Sequence, residues 1–447
     1  MFQEKSRRRN VFVLCLDDLH LKDLENIPDR AQFNFHGLLT REDFVGKSGR
    51  ELEASILRAE EILRNFAEPV DAIIGYWDFP VTTTAAILCE KFGLPSPGLT
   101  PLLKCAHKYW SRLEQRQYIP EHTPRFCAVD PFATAPCQQI SLEFPFWIKP
   151  VCGYGSILGF RINNRREFNQ AIEITRRSIG LVGDAFNTIL NRVDTSALAG
   201  VGGNHMIAEE LLHGIELAPE GYVQDGKVKV HGVVDMVRAP NHKSFKCYRY
   251  PSSHPRSIQN RTIEATRKLV QGMGYDNACF NVEFFWDRDN DEMRIVELNT
   301  RISQSHSDLM YKVDGMSNYE VAIHVALGNT PRYEHGKGQF NYAAKFLLRR
   351  FEPDDALCIS APGESALARL RQQQPQTSVL LQVHEGMHLS DMVGQDPYSW
   401  VLAELVIGGD DIGDLNRKFE EASALLPFEF VPARSATSRR SRSKVHD

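Results

Sequence analysis

The sequence predicts an α/β chain of three domains, at residues 1–103, 104–330 and 331–432, followed by a basic tail at 433–447. Three observations predict it. The chain has 447 residues, room for about three domains of ~150 residues each. Its first hundred residues alternate short apolar runs with helical patterns, as an open parallel unit does. Its middle is strand-rich and closes on two alternating strands around a polar turn. The composition, 42% hydrophobic and 24% charged with a formal net charge of -5, is that of a globular protein and gives no sign of a nucleic-acid partner. No run approaches the ~18 apolar residues of a membrane span, and the basic start "MFQEKSRRRN" lacks a cleavage pattern, so the expected location is cytoplasmic. The nine cysteines are odd in number and form no CxxC pair, which argues for reduced, mostly buried thiols.

In chain order, "NVFVLCLDD" and "VDAIIGYWD" read as buried strands. The second leads into the helix "VTTTAAILCEKFG", with Asp78 expected to cap it, Pro80 in its first turn and Gly93 closing it. Ligands of open parallel sheets bind beyond the carboxyl ends of the strands, which puts Asp17, Asp18, Trp77 and Asp78 either beside a substrate or in ordinary cap and loop duty. "LPSPGLTP" reads as a linker, and "LKCAHKYWSRLEQRQYI" as one helix carrying Lys104 and Lys108.

"FWIKPVCGYGSILGF" places Lys149 before Gly153, Gly155 and Gly159. A Walker loop needs its lysine after the last glycine, and a dinucleotide fingerprint needs a helix next; neither follows here. The pattern is strand, glycine flap, strand, and such a flap folds backbone N–H groups over an anion because glycine tolerates φ > 0. Further on, Asp225-Gly226 marks a hairpin turn, and "RTIEATRKLVQGMGYD" a helix closed by glycine.

The most informative stretch is "ACFNVEFFWDRDNDEMRIVELNTRISQSH". If Asp287 pairs with Met293 across the turn, Glu283 lies opposite Glu297 and Asn281 opposite Asn299, all four on one face. Phe280, Val282, Phe284, Trp286, Val296 and Leu298 then point to the other face, into a core. Opposed like charges destabilise a ladder by up to ~1 kcal/mol unless a cation bridges them. Two carboxylates with an amide oxygen form a hard-ligand set suited to Mg2+ or Mn2+ shared with phosphates. On this reading Glu297→Gln is expected to leave the nucleotide-free protein unchanged or slightly stabilised.

Taken together, "WIKPVCGYGSILG", "MIAEELLHGIE" and "FNVEFFWD…MRIVELNTR", in this order and spacing, resemble the ATP-grasp superfamily of ATP-dependent ligases. The resemblance covers residues 100–330 and extends to the α/β unit before them and to 331–430 after them. It implies a three-domain ATP-grasp architecture with a nucleotide-binding subdomain at about 140–212. It also implies roles. Lys149 and Lys108 would bind the phosphates of ATP, and Gly153, Gly155, Ser156 and Gly159 would close over them. Glu209, Glu210, Leu211 and Leu212 would form the adenine-binding hinge, and Glu216 would hold the ribose. Glu283, Glu297 and Asn299 would bind Mg2+, in agreement with the register argument, and Arg301 would face an acyl phosphate. Thr300 stands where many relatives have proline.

The implied chemistry is ATP-dependent joining of a small-molecule carboxylate to an amine, with a layout more like that of the L-amino acid ligase branch. Biotin carboxylase is the alternative by length, although the basic, glutamine-bearing site of that family is not recognisable after the hinge. A nucleotide-binding regulatory protein without turnover is the other, and a homodimer remains an open assembly. His306 in "SQSHSD" is either a base for the incoming amine or a structural loop residue. The tail "ARSATSRRSRSKVHD" lacks apolar periodicity and is expected to be disordered. Deleting the residues after 433 should leave turnover intact; a large loss of activity in the truncated protein would contradict this.

Overall fold

The computed structural model describes residues 7–153 and 157–433, in two compact units. Among the described residues the first comprises 7–153, 157–231, 255–304 and 318–332, and the second 232–254, 305–317 and 333–433. Two internal segments of the central stretch thus belong with the C-terminal region.

The first unit opens with β1 (Arg9–Leu14), α1 (Asp18–Glu25), β2 (Phe33–Leu38), α2 (Gly49–Arg64), β3 (Ala72–Gly75) and α3 (Val81–Phe92). The three strands form a parallel sheet in the order β2-β1-β3. Phe12, Leu14 and Ile73 pack with Leu52, Ile56 and Leu63 of α2 and with Ile87 and Leu88 of α3. Gly93 closes α3 in the left-handed conformation, as expected, but Asp78 does not cap it, because no side-chain bond caps the first turn.

The single helix expected to carry Lys104 and Lys108 is two, α4 (Leu99–Ala106) and α5 (Lys108–Tyr118), and α4 takes up the end of the expected linker. The break falls at His107, which leaves helical geometry (φ -85°, ψ 98°), and the Trp110 N–H donates to its Nδ1. The ring thereby caps α5, a duty usually met by Ser, Thr, Asp or Asn and therefore hard to read from sequence.

Next comes a four-stranded antiparallel sheet in the order β4-β7-β5-β6, from β4 (Phe126–Val129), β5 (Phe146–Pro150), β6 (Phe160–Ile162) and β7 (Met206–Glu210). The two strands expected on either side of the glycines are present, as β5 and β6. Within this segment α6 (Arg165–Ser178) lays Phe168, Ala171 and Ile172 on the face made by Phe146, Ile148, Phe160 and Ala208, and α7 (Gly180–Leu190) adds Phe186 and Ile189 to the core around β1.

From β7 the chain turns through Gly214, where φ is +121° and a Cβ would lie 2.4 Å from the Trp286 carbonyl oxygen, so the close approach requires glycine. β8 (Ile215–Gln224) and β9 (Lys227–Arg238) are joined by Asp225-Gly226, both at positive φ, the expected hairpin turn. β10 (Phe245–Tyr250) and α8 (Arg256–Gly272) follow, then β11 (Ala278–Asp287) and β12 (Glu292–Asn299). β11 pairs antiparallel with β8 on one side and β12 on the other. Their apolar face, Phe280, Val282, Phe284, Met293, Ile295 and Leu298, packs on Ala265, Leu269 and Val270 of α8.

The second unit holds α9 (Ser307–Asp314), and α10 (Asn318–Ala326) returns to the first. In the second unit the end of β9 pairs antiparallel with β10, β10 with β13 (Tyr342–Arg350), and β13 with β16 (Trp400–Gly409). Between them in sequence lie β14 (Ala356–Ser360), α11 (Glu364–Gln373) and β15 (Ser378–Leu381), the last on the edge of β16. α12 (Ile412–Ala424), capped by Asp411, and α11 cover this sheet through Leu370, Leu415 and Ala422, and β17 (Glu429–Pro432) pairs with β14. Among the described residues no helix is long and apolar enough to cross a membrane. All nine cysteines are free, and all but Cys127 and Cys137 are buried.

Candidate active site

Period-two alternation on three adjacent strands builds one polar face in the first unit. The register sets Glu283 opposite Glu297 and Asn281 opposite Asn299, as expected. It arrives there differently, because Trp286, not Asp287, pairs with Met293, and a bulge between Glu283 and Phe284 absorbs the slip. The extra residue is Val296. Ile295 takes the core place expected of Val296, which is half-buried and lines a cavity. β8 continues the polar face: Glu220 lies opposite Asn281 and Glu216 opposite Phe285.

The start of α5 brings cations to this face. Lys108 lies 3.6 Å from Glu297, and its Nζ donates to the Gly153 carbonyl at 2.9 Å, where the flap begins. The backbone fixes this, since the Lys108 N–H donates to the Val151 carbonyl at 2.6 Å. Lys149, at the end of β5, ion-pairs with Glu209 at 2.8 Å. Lys104 instead pairs with Glu114. A cavity of about 100 Å³ is lined by Lys108, Lys149, Gly153, Glu297, Asn299 and Arg301, among others.

Arg112 was not anticipated from the sequence. Only 2% exposed, it donates through Nε to Glu209 at 2.5 Å, and through Nη1 and Nη2 to the carbonyls of Ile295 (3.1 Å) and Val296 (2.7 Å). One guanidinium thus ties α5 to β7 and to the bulge of β12. A signal was present: Lys108, Ser111, Arg112 and Gln115 recur at helical spacing, a polar stripe on a helix whose Trp110 is buried. Glu220, fully buried, was also missed; it accepts from the Ser303 N–H at 3.0 Å and from the Asn318 side chain. Its alternation with Glu216 was the available signal.

The charges divide the carboxylates. Burial opposes ionisation of Glu209, but Arg112 and Lys149 outweigh it and pull its carboxyl down to about 2. Burial likewise works against Glu297, and Lys108, Lys149, Arg301 and Arg112 overcome it, so its carboxyl is held below the ordinary range. Glu283 goes the other way: burial first, then repulsion from Glu297 and Glu216, push it up despite Arg301 and the Asn299 hydrogen bond. Glu297→Gln would still relieve the repulsion felt by Glu283, but it would also remove the charge that Lys108, Lys149, Arg301 and Arg112 compensate. Glu297 is the well-compensated acid, and Glu283 carries the cost.

This donor set fits a divalent cation. Two carboxylates and an amide meet on neighbouring strands, and the Asn299 Nδ2 is turned to Glu283 at 3.2 Å, leaving an Oδ1 that accepts no hydrogen bond among the described residues. Hard oxygen donors on a face where a second carboxylate charge is costly suit Mg2+, which would offset that cost.

The remaining candidates fall as follows. Arg301 donates to both oxygens of Asp78, at 2.8 and 2.9 Å. Glu210 faces outward and accepts from Arg125. Leu211 and Leu212 are half-buried in the connection after β7, Glu216 is buried, and Gly159 immediately precedes β6. Gly155 and Ser156 lie outside the described residues. Asp17 caps α1, and Trp77 stacks under the Arg41 guanidinium at 4.7 Å. His306 belongs to the second unit, buried against the Tyr248 ring.

Residues 142–307 match the model of the ATP-grasp domain. No curated protein matches the chain by sequence. Among solved structures, the chain is similar to the L-amino acid ligase from Bacillus licheniformis, at 15% identity and TM-score 0.73 over 96% of this chain and 100% of that one. It is similar to phosphoribosylglycinamide synthetase from Anaerococcus prevotii, at 12% identity and TM-score 0.62 over 94% and 99%. It also resembles the biotin carboxylase domain of the Hydrogenobacter thermophilus 2-oxoglutarate carboxylase, solved with MgADP and bicarbonate, at 14% identity and TM-score 0.64 over 95% and 91%. With two lysines, two carboxylates, an amide and an arginine gathered where the three sequence motifs meet, the chain carries an ATP-grasp domain at residues 142–307 and takes the ATP-grasp fold.

Proposed function

We propose that this protein is an ATP- and Mg2+-dependent ligase that joins a carboxylate to an amine through an acyl phosphate, acting on small amino acid-like molecules. The observation that carries the reading is the convergence of Lys108, Lys149, Glu297, Asn299 and Arg301 on one cavity, with Glu283 directly across the ladder from Glu297. A carboxylate is a poor electrophile until its oxygen is phosphorylated. Lys108 and Lys149 bring positive charge to the phosphates, and Arg301 holds the carboxylate and then the developing oxyanion. Glu283, Glu297 and Asn299 would hold Mg2+, which when bound neutralises charge on the transferring phosphoryl group. Likeness to an L-amino acid ligase over nearly the whole of both chains favours the amine acceptor.

The test is phosphate release from ATP and Mg2+ with pairs of amino acids. At least one pair should release phosphate well above ATP alone, with amide product in equal amount. Release that depends on bicarbonate without an amine would point to the carboxylating reading. Nucleotide binding with no turnover for any carboxylate would leave a regulatory protein.

A further inference from the structure

The Asp78 side chain does not cap the helix that follows it; only its backbone carbonyl serves α3, accepting from the Val81 N–H at 2.9 Å. Its carboxylate is instead given to one partner: Arg301 donates Nε to Oδ1 at 2.8 Å and Nη2 to Oδ2 at 2.9 Å. The Arg301 Nη1 donates to the Ile302 carbonyl at 3.2 Å. A guanidinium carries five N–H donors in a rigid fork, so one N–H is left on each of Nη1 and Nη2. Glu283 and Glu297 also attract this cation, yet neither hydrogen-bonds it among the described residues. Arg301 therefore sits in a contest among three carboxylates, and Asp78 holds it.

We propose that Asp78 is the positioning residue of the site: it grips Arg301 by its Nε–Nη2 edge, holds it off Glu283 and Glu297, and leaves two N–H groups to receive the substrate carboxylate. The inference rests on the ligase reading for the identity of that carboxylate. A two-point arginine–carboxylate contact fixes the plane of the guanidinium as well as its place. Without Asp78 the cation has Glu283 and Glu297 as its nearest alternatives. There it would do two kinds of harm, vacating the carboxylate site and competing with a divalent cation for the same oxygens.

The experiment uses the full chain with Asp78→Ala, Asp78→Asn, Asp78→Glu, Arg301→Ala and the double variant Asp78→Ala/Arg301→Ala. Phosphate release gives KM for carboxylate and for ATP; the rise in Tm with MgADP, titrated with Mg2+, gives a readout that needs no turnover. In Asp78→Ala and Asp78→Asn, kcat/KM for the carboxylate should fall ~100-fold, the scale of a misplaced positioning group, while KM for ATP at saturating Mg2+ holds. The Mg2+ needed for half the Tm rise should increase several-fold. Asp78→Glu should recover much of both, and the double variant should match Arg301→Ala alone, as expected of residues acting through one another. Variants that melt earlier but keep the wild-type KM for carboxylate and Mg2+ requirement would reduce Asp78 to a structural ion pair and overturn the proposal. If the wild type releases no phosphate with any carboxylate, the ligase reading falls, and the Mg2+ titration still decides whether Asp78 keeps Arg301 away from the two acids.

Discussion

Glu283→Gln should stabilise the nucleotide-free protein at neutral and alkaline pH while reducing turnover by ~100-fold or more, because metal charge stabilisation is worth several kcal/mol. Glu283 faces Glu297 across the ladder and Glu216 lies nearby on the same polar face, so its charge is raised in cost by burial and by both neighbours. Removing one of two opposed like charges is worth up to ~1 kcal/mol on the cross-strand scale. The pH dependence fixes the sign. A carboxyl raised by burial and by its acidic neighbours contributes its full share to stability below its ordinary range and loses it as pH rises through the raised one. Wild type and variant should therefore melt together below the ordinary carboxyl range and separate progressively as pH rises above it, with the variant higher. The rise in Tm on adding Mg-ATP should largely vanish in the variant, since a ligand stabilises only in proportion to its affinity. Thermal melts across pH, with and without Mg-ATP, measure all of this. An apo protein that unfolds on this substitution while survivors bind Mg-ATP normally would show the acid to be structural.

The largest loss of stability is expected at Arg112→Met, ~3–5 kcal/mol, the cost of breaking a buried charge pair from one side. Glu209, 4% exposed, would keep Lys149 but lose its closest cation, and the carbonyls of Ile295 and Val296 would lose their donor. Urea unfolding should show a lower midpoint at unchanged slope. A shift below about 1 kcal/mol would mean that water or Lys149 replaces the guanidinium and that the interaction is weaker than its burial implies.

What the sequence made legible, and what it concealed, follows the range of the interactions concerned. Alternation is local, so the polar face of β11 and β12 could be read from two short runs, and even a register slip of one residue near the turn left the facing pairs correct because the bulge took it up. Capping is also local, which is why it misled at Asp78: the pattern before α3 suits a cap, but the carboxylate is claimed by Arg301, 223 residues away. Arg112 was silent for the same reason. Its partners lie 97, 183 and 184 residues further on, and an arginine on a polar helix reads as solvated until those partners are brought to it. The break at His107 was hidden because an imidazole cap is unusual.

The bulge at Val296 also constrains the order in which this chain can change. Its two successive carbonyls accept from the same guanidinium, so the bulged residue and Arg112 are coupled and a change at one is felt at the other. A descendant that dropped Val296 first would keep a buried cation cut for carbonyls no longer in place; one that replaced Arg112 first would keep a kinked strand without its donor. Each single step passes through a weaker protein, and only the paired change reaches a regular ladder beside an apolar helix face. The insertion and the arginine should accordingly be gained or lost together among descendants of this sequence.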